Sequence, residues 1–319
     1  MQWAKALVVA FLFLGNANAQ TDYPIRPVKV IVPSPPGGGT DILARVLAQH
    51  LSKALGQPFF VENKAGAGNM IGIEFVAHAP ADGYTVLVVP STLALNSVLY
   101  KKVPYDPVRD FSPVTLAATA PNVLVVNPAL PAKSLAEFIA LAKKKPGAMS
   151  YGTPGIGTSP HLSMELLKSL AGIDIQHVPY RGTAAAVTDV IGGQIAATFA
   201  NALTAKPQVD SGRVRALAVS GPKRIEALPS VPPVAEAGVP GYEAMQWYGM
   251  VAPAGTPAPV VARLNAEAVK ALQSEEMREK LALDGAQPVG SSPGEFGALI
   301  RSELEKWARV VRAAGIEQQ

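Results

Sequence analysis

Two glycine-rich stretches carry the residues best suited to chemistry in this chain: Pro36-Gly37-Gly38-Gly39-Thr40-Asp41, and the eight residues from Gly152 to Ser159, GTPGIGTS. Each follows a strand-like run and opens a helical pattern. Glycine lets the backbone approach a ligand closely, and a helix start offers unpaired N–H groups and the positive end of its dipole. Gly37, Gly38, Gly39, Thr40 and Asp41 in the first loop, with Gly155, Gly157, Thr158 and Ser159 in the second, could therefore cradle an anion. For a single such loop, turning the chain and capping a helix is the stronger reading. Two loops on separate strand–helix series, aimed into one cleft, shift the balance to a ligand.

Other chemistries fit less well. Gly152 to Ser159 matches the phosphate-binding pattern G-x-x-x-x-G-K-S/T except at Thr158, where the lysine should stand, so nucleotide hydrolysis is not expected. There is no G-x-S-x-G elbow and no H-E-x-x-H pair. The chain has no cysteine, which removes thiol catalysis, disulfides and cysteine-based metal sites. His50, His78, His161 and His177 are too scattered for a local metal motif, so no metal and no cofactor are expected. His161, just inside the second helix, could reach a ligand or could cap and pack that helix. Ser91, Thr92 and Asn201 follow predicted strands, where turn formation and ligand contact are equally open. The only run of like charge is Lys143-Lys144-Lys145 at a helix end, where cations meet the negative end of the dipole. Nothing indicates nucleic-acid binding.

The elements that must position these loops alternate. Strands are predicted at Val28–Val32, Pro58–Glu62 and Tyr84–Val89, with helices over 42–55 and 69–77 between them. A second series has strands at Val123–Val126, Met149–Gly152, Ile175–Val178, Ile195–Phe199 and Val214–Val219, with helices between. Such alternation predicts an α/β fold with mainly parallel sheets. A long strand over Tyr242–Ala252 and three helical stretches close the chain. The last of these opens on the capping box Ser292 to Glu295, with Pro293 at the first helical position. These closing helices have no sheet of their own, so they are expected to return to the first lobe. That predicts lobe 1 over 20–120 and 247–319, lobe 2 over 121–246, and two crossing strands as a hinge in a cleft-binding fold.

A length of 319 residues with 49% hydrophobic and 16% charged composition suits two globular domains rather than disorder. The net charge of +4 suits an anionic ligand. At the N-terminus, Lys5, the apolar run Ala6–Leu14 and Ala17-Asn18-Ala19 form a secretory-signal pattern over 1–19, with the mature chain starting near Gln20. The run is shorter than the ~20 residues a membrane span needs. No membrane anchor is therefore expected.

Several segments in order resemble the substrate-binding receptors of tripartite tricarboxylate transporters, the Bug family: VPSPPGGGTDILAR (32–45), VENKAGAGNMIG (61–72), YGTPGIGTSPHL (151–162), HVPYRGTAAAVTDVIGGQI (177–195), VRALAVSG (214–221), VPPVAEAGVPGYE (231–243) and MVAPAGTP (250–257). The resemblance implies a two-lobed periplasmic binding protein of the Venus-flytrap type, acting as a monomer without a cofactor and not as an enzyme. It implies a small carboxylate ligand and delivery to inner-membrane transporter subunits. A ligand sensor of the same fold signalling to a membrane kinase would have the same features. The resemblance also implies that the loops over 34–41 and 152–159 hold the ligand carboxylate. This chain departs from the family pattern at Ser34, where Phe or Tyr is usual, at Ile156 and Pro160, where Asn and Gln are common, and at Asn201, where Asp is frequent. The serine predicts a roomier, more polar cleft.

Overall fold

A computed structural model describes residues 22–282, 285–313 and 315–318. The predicted signal segment over 1–19 and the start near Gln20 lie outside them. The described chain forms two α/β lobes whose sheets share one long strand.

In the first sheet, β1 (Val28–Val32) lies between β2 (Phe59–Asn63) and β3 (Thr85–Pro90), all parallel. Its side chains alternate: Val28, Val30 and Val32 enter one core, and Ile31 enters the core on the opposite face. The Val28 face is covered by α1 (Gly39–Leu55), reached through the first glycine loop, and the opposite face by α2 (Met70–Ala77) and α3 (Thr92–Leu99).

The next strand, β4 (Phe111–Val126), joins the lobes. Residues 111–121 pair antiparallel with β9 (Met245–Pro253) in the first sheet. From Asn122 onward β4 pairs antiparallel with β7 (Ala197–Asn201) and, one residue later, with β8 (Arg215–Val219) in the second. That sheet continues through β5 (Ser150–Thr153) and β6 (Gln176–Pro179), parallel to β7. One face carries α4 (Leu135–Lys144) and α5 (Ser159–Ala171), the other α6 (Thr183–Ile191) and α7 (Ala202–Asp210). The parallel arrangement expected from the alternation thus holds in a trio of strands per lobe. The joining strands are antiparallel.

After β9 come α8 (Ala258–Leu272), α9 (Glu275–Ala282), the short β10 (Gln287–Pro288) on β4, and α10 (Pro293–Ala313). The helices α8 and α9 pack beside α1. The start of α10 packs on the first sheet through Phe296 and Ile300, while Trp307, Val310 and Val311 share a core with Leu162 and Leu166 of α5.

The crossing between sheets is pinned by polar groups. The Asn122 amide donates to Ser220 Oγ at 2.8 Å, the Ser220 amide donates to the Asn122 carbonyl at 2.8 Å, and Ser220 Oγ donates to the Ala244 carbonyl. These residues stand where β4, β8 and β9 change neighbours. Among the described residues no helix is long and apolar enough to cross a membrane.

Candidate ligand-binding site

The first glycine loop is organised around Asp41. Its side chain is 4% exposed, and its carboxylate accepts from the Gly37 amide (2.9 Å), from Arg45 Nε and Nη2 (2.9 and 3.0 Å) and from Asn63 Nδ2 (2.9 Å). Burial alone would raise its pKa, but the Arg45, Gly37 and Asn63 hydrogen bonds outweigh that and hold it below the usual carboxylate range. The carboxylate is therefore fully engaged in shaping the loop. Gly38 caps α1 without a side chain, so the amides of Gly38, Gly39 and Thr40 have no hydrogen-bond partner among the described residues. Those three N–H groups, with the dipole of a 17-residue helix behind them, make an anion-attracting surface.

Its Gly38 and Gly39 part belongs to one wall of a cleft of about 500 Å³. Gly37, Gly38 and Gly39 meet the outer face of α1, the end of α9 and Tyr248 of β9 on one side. Asn201 and Leu203 of the other lobe form the opposite side. Asn201 caps α7, its Oδ1 accepting from the Thr204 amide at 3.2 Å, while the Ala202 and Leu203 amides have no partner among the described residues. Two helix starts, one from each lobe, thus border one cleft. The lobes approach closely beside it: Gly285, at φ +65°, lies so near α7 that a Cβ there would come within 2.8 Å of Ala202 Cβ. Arg45 and Lys280 supply positive charge at the walls, paired with Asp41 and Glu276.

The second glycine loop does not line this cleft. Gly157, at φ +80°, sits against the end of α3, where a Cβ would come within 2.7 Å of Leu99 Cδ1. The loop is tied down from within. The Gly157 amide donates to His161 Nδ1 at 3.2 Å, the Gly155 amide to Thr153 Oγ1 at 3.2 Å, and Thr158 Oγ1 to the Gly155 carbonyl at 2.7 Å. Asn122 Nδ2 donates to Ser159 Oγ at 2.8 Å. The amides of Ile156, Ser159 and His161 have no partner among the described residues. Burial, the neighbouring His177 and Lys168 push His161 down to about 3, so it is neutral at ordinary pH and its Nδ1 is the acceptor. His161 is 4% exposed and its ring lies 4.4 Å from that of His177.

The remaining candidates lie elsewhere. Ser91 is buried at the start of α3, and Thr92 Oγ1 accepts from Asn69 Nδ2 at 2.9 Å. Ser34 Oγ is buried with no hydrogen-bond partner among the described residues, and Ser34 is not a wall of this cleft. The walls of this cleft are mostly apolar rather than polar, and Ser34, from which a roomier, more polar cleft was expected, does not border it. Leu203, Leu281 and Ala286 are wall residues that sequence reasoning missed. Single apolar side chains carry no motif, and only the topology brings them to one place. Asn122 was missed too, although a lone Asn between Pro121 and the apolar run VLVV was a readable signal. Among the described residues no group of His, Asp or Glu could hold a metal ion.

Residues 43–316 match the model of the tripartite tricarboxylate transporter family receptor. The chain is 39% identical to Protein BugT of Bordetella pertussis, over 99% of both chains. A Rhodopseudomonas palustris structure with adipate superposes with a TM-score of 0.81 at 39% identity, covering 92% of this chain and 99% of that one. MatC from Rhodopseudomonas palustris with bound malate superposes with a TM-score of 0.77 at 34% identity, covering 91% and 100%.

Proposed function

The chain belongs to the tripartite tricarboxylate transporter receptor family, whose members are solute-binding proteins rather than enzymes, and we propose that it is the periplasmic receptor that captures a small organic acid between its lobes and delivers it to the membrane subunits of such a transporter. The observation that carries this reading is the pair of amides at Gly38 and Gly39, without a partner among the described residues, on the wall of a cleft whose other side holds the Asn201 helix start. A charge-assisted hydrogen bond contributes about 1.5–3 kcal/mol net. Micromolar binding needs about 8 kcal/mol. One helix start barely reaches that before ordering costs are met, whereas donors from both lobes reach it with a margin. An acid touching both starts also binds the closed arrangement better than an open one, as lobe closure requires. The structures similar to this chain that hold adipate and malate support a carboxylate as the ligand.

The direct test is mass spectrometry of small molecules released by denaturing protein purified from the periplasm. The expected result is a stoichiometric carboxylic acid that raises the melting temperature when added back. A released ligand without a carboxylate would contradict the proposal.

A further inference from the structure

The two helix starts account for holding a carboxylate group, but they say nothing about the rest of the molecule. The remaining walls do. Ile42 and Val46 on α1, Leu281 on α9, Ala286, and Leu203 across the cleft turn a mostly apolar lining inward. Ile42 is 37% and Leu203 50% exposed, and both line this one cleft, from opposite lobes. Of the polar side chains nearby, three are at least partly committed, while Gln49 and Asn201 Nδ2 have no hydrogen-bond partner among the described residues. Arg45 binds Asp41 through Nε and Nη2, Lys280 binds Glu276, and Asn201 Oδ1 takes the Thr204 amide. A ligand hydroxyl pressed against the carbons of Ile42, Val46, Leu203 and Leu281 would lose water without gaining a partner there, which is unfavourable.

Resting on the receptor reading of this cleft, we propose that the acid it takes has an apolar body, an alkyl chain or an aryl ring, rather than the hydroxyl-bearing skeleton of a small di- or tricarboxylate. Its carboxylate sits at the α1 amides and its carbon body covers Ile42 and Leu203. Closure of the lobes then buries apolar surface from both sides, so the body of the ligand contributes to closure as well as to affinity.

Calorimetry on the purified full chain, dialysed free of small molecules, tests this with butyrate, hexanoate, benzoate, adipate, malate and citrate. Each methylene buried should strengthen binding about fourfold. Hexanoate is therefore expected about 15-fold tighter than butyrate, and adipate and benzoate tighter than malate and citrate. The variant Leu203→Ser should reduce the hexanoate-to-butyrate affinity ratio about tenfold, and its thermal unfolding without ligand reports whether the fold is intact. Malate or citrate binding more tightly than adipate and hexanoate, or an affinity independent of chain length, would overturn the proposal and leave the receptor reading standing. Failure of every acid, including any that copurifies, would instead remove the receptor reading and this inference with it.

Discussion

His161 accepts the Gly157 amide through Nδ1, so the second glycine loop keeps its shape only while that nitrogen is unprotonated. The groups facing it are His177, itself pushed down by burial, together with Tyr151, Glu165 and Lys168. In the unfolded chain His161 titrates near its ordinary 6.5, and in the folded chain near about 3. Between those values the unfolded state binds more protons. The stabilising contribution is therefore complete above pH 6.5 and is lost progressively as pH falls toward 3. The melting temperature should fall over that window, and His161→Asn, which keeps an acceptor but does not titrate, should flatten the fall. Differential scanning calorimetry giving parallel profiles for both proteins would contradict this assignment. At this scale the sequence marked His161 and Asp41 as residues of interest without revealing what each does. Asp41 looked like a member of an anion cradle, yet its carboxylate is engaged by Arg45, Asn63 and the Gly37 amide. No spacing rule predicts that Asn63, on the neighbouring strand, completes it.

Among the elements, the last helix shows how far local signals reach. Its capping box closes as the sequence predicts: the Ser292 amide donates to Glu295 Oε2 at 2.8 Å, and the Glu295 amide to Ser292 Oγ at 3.3 Å. Because α10 packs on the first sheet through Phe296 and on α5 through Trp307, fraying its start loosens cores in both lobes. Ser292→Ala should therefore cost about 1 kcal/mol in chemical denaturation, and an unchanged midpoint would mean that the cap contributes nothing. Besides the short β10, two elements escaped the sequence for clear physical reasons. The α3 helix, TLALNSVL, is buried at six of its eight positions, so it has no polar face to produce a period. The first part of β4 carries Pro113 and Pro121, which read against a strand in the body of a sheet. The structure accommodates the strand with register shifts between Pro113 and Thr115 and between Leu116 and Ala118.

At the scale of the whole molecule, the alternation of strands and helices made a two-lobed α/β protein legible, and two glycine loops drew attention to helix starts. Gly37 to Gly39 and Asn201 were legible, but the rest of the walls were not, because Leu203, Tyr248 and Leu281 come from three distant elements and meet only through the fold. The sequence pointed to two glycine loops, whereas the two helix starts bordering the cleft belong to α1 and α7. If the unpaired α1 amides hold the ligand carboxylate, one position isolates their contribution. Gly39 is the first residue of α1, where proline is favoured, and Gly38 before it is extended at φ −81° and ψ 167°, as a residue preceding proline must be. Gly39→Pro should therefore remove one donor while leaving the fold in place, and Gly39→Ala adds a carbon while keeping the N–H. Calorimetry with whichever of adipate, benzoate and malate binds the wild-type chain most tightly should show Gly39→Pro weakened about tenfold to a hundredfold, with Gly39→Ala close to wild type. A folded Gly39→Pro protein with undiminished affinity would contradict the account.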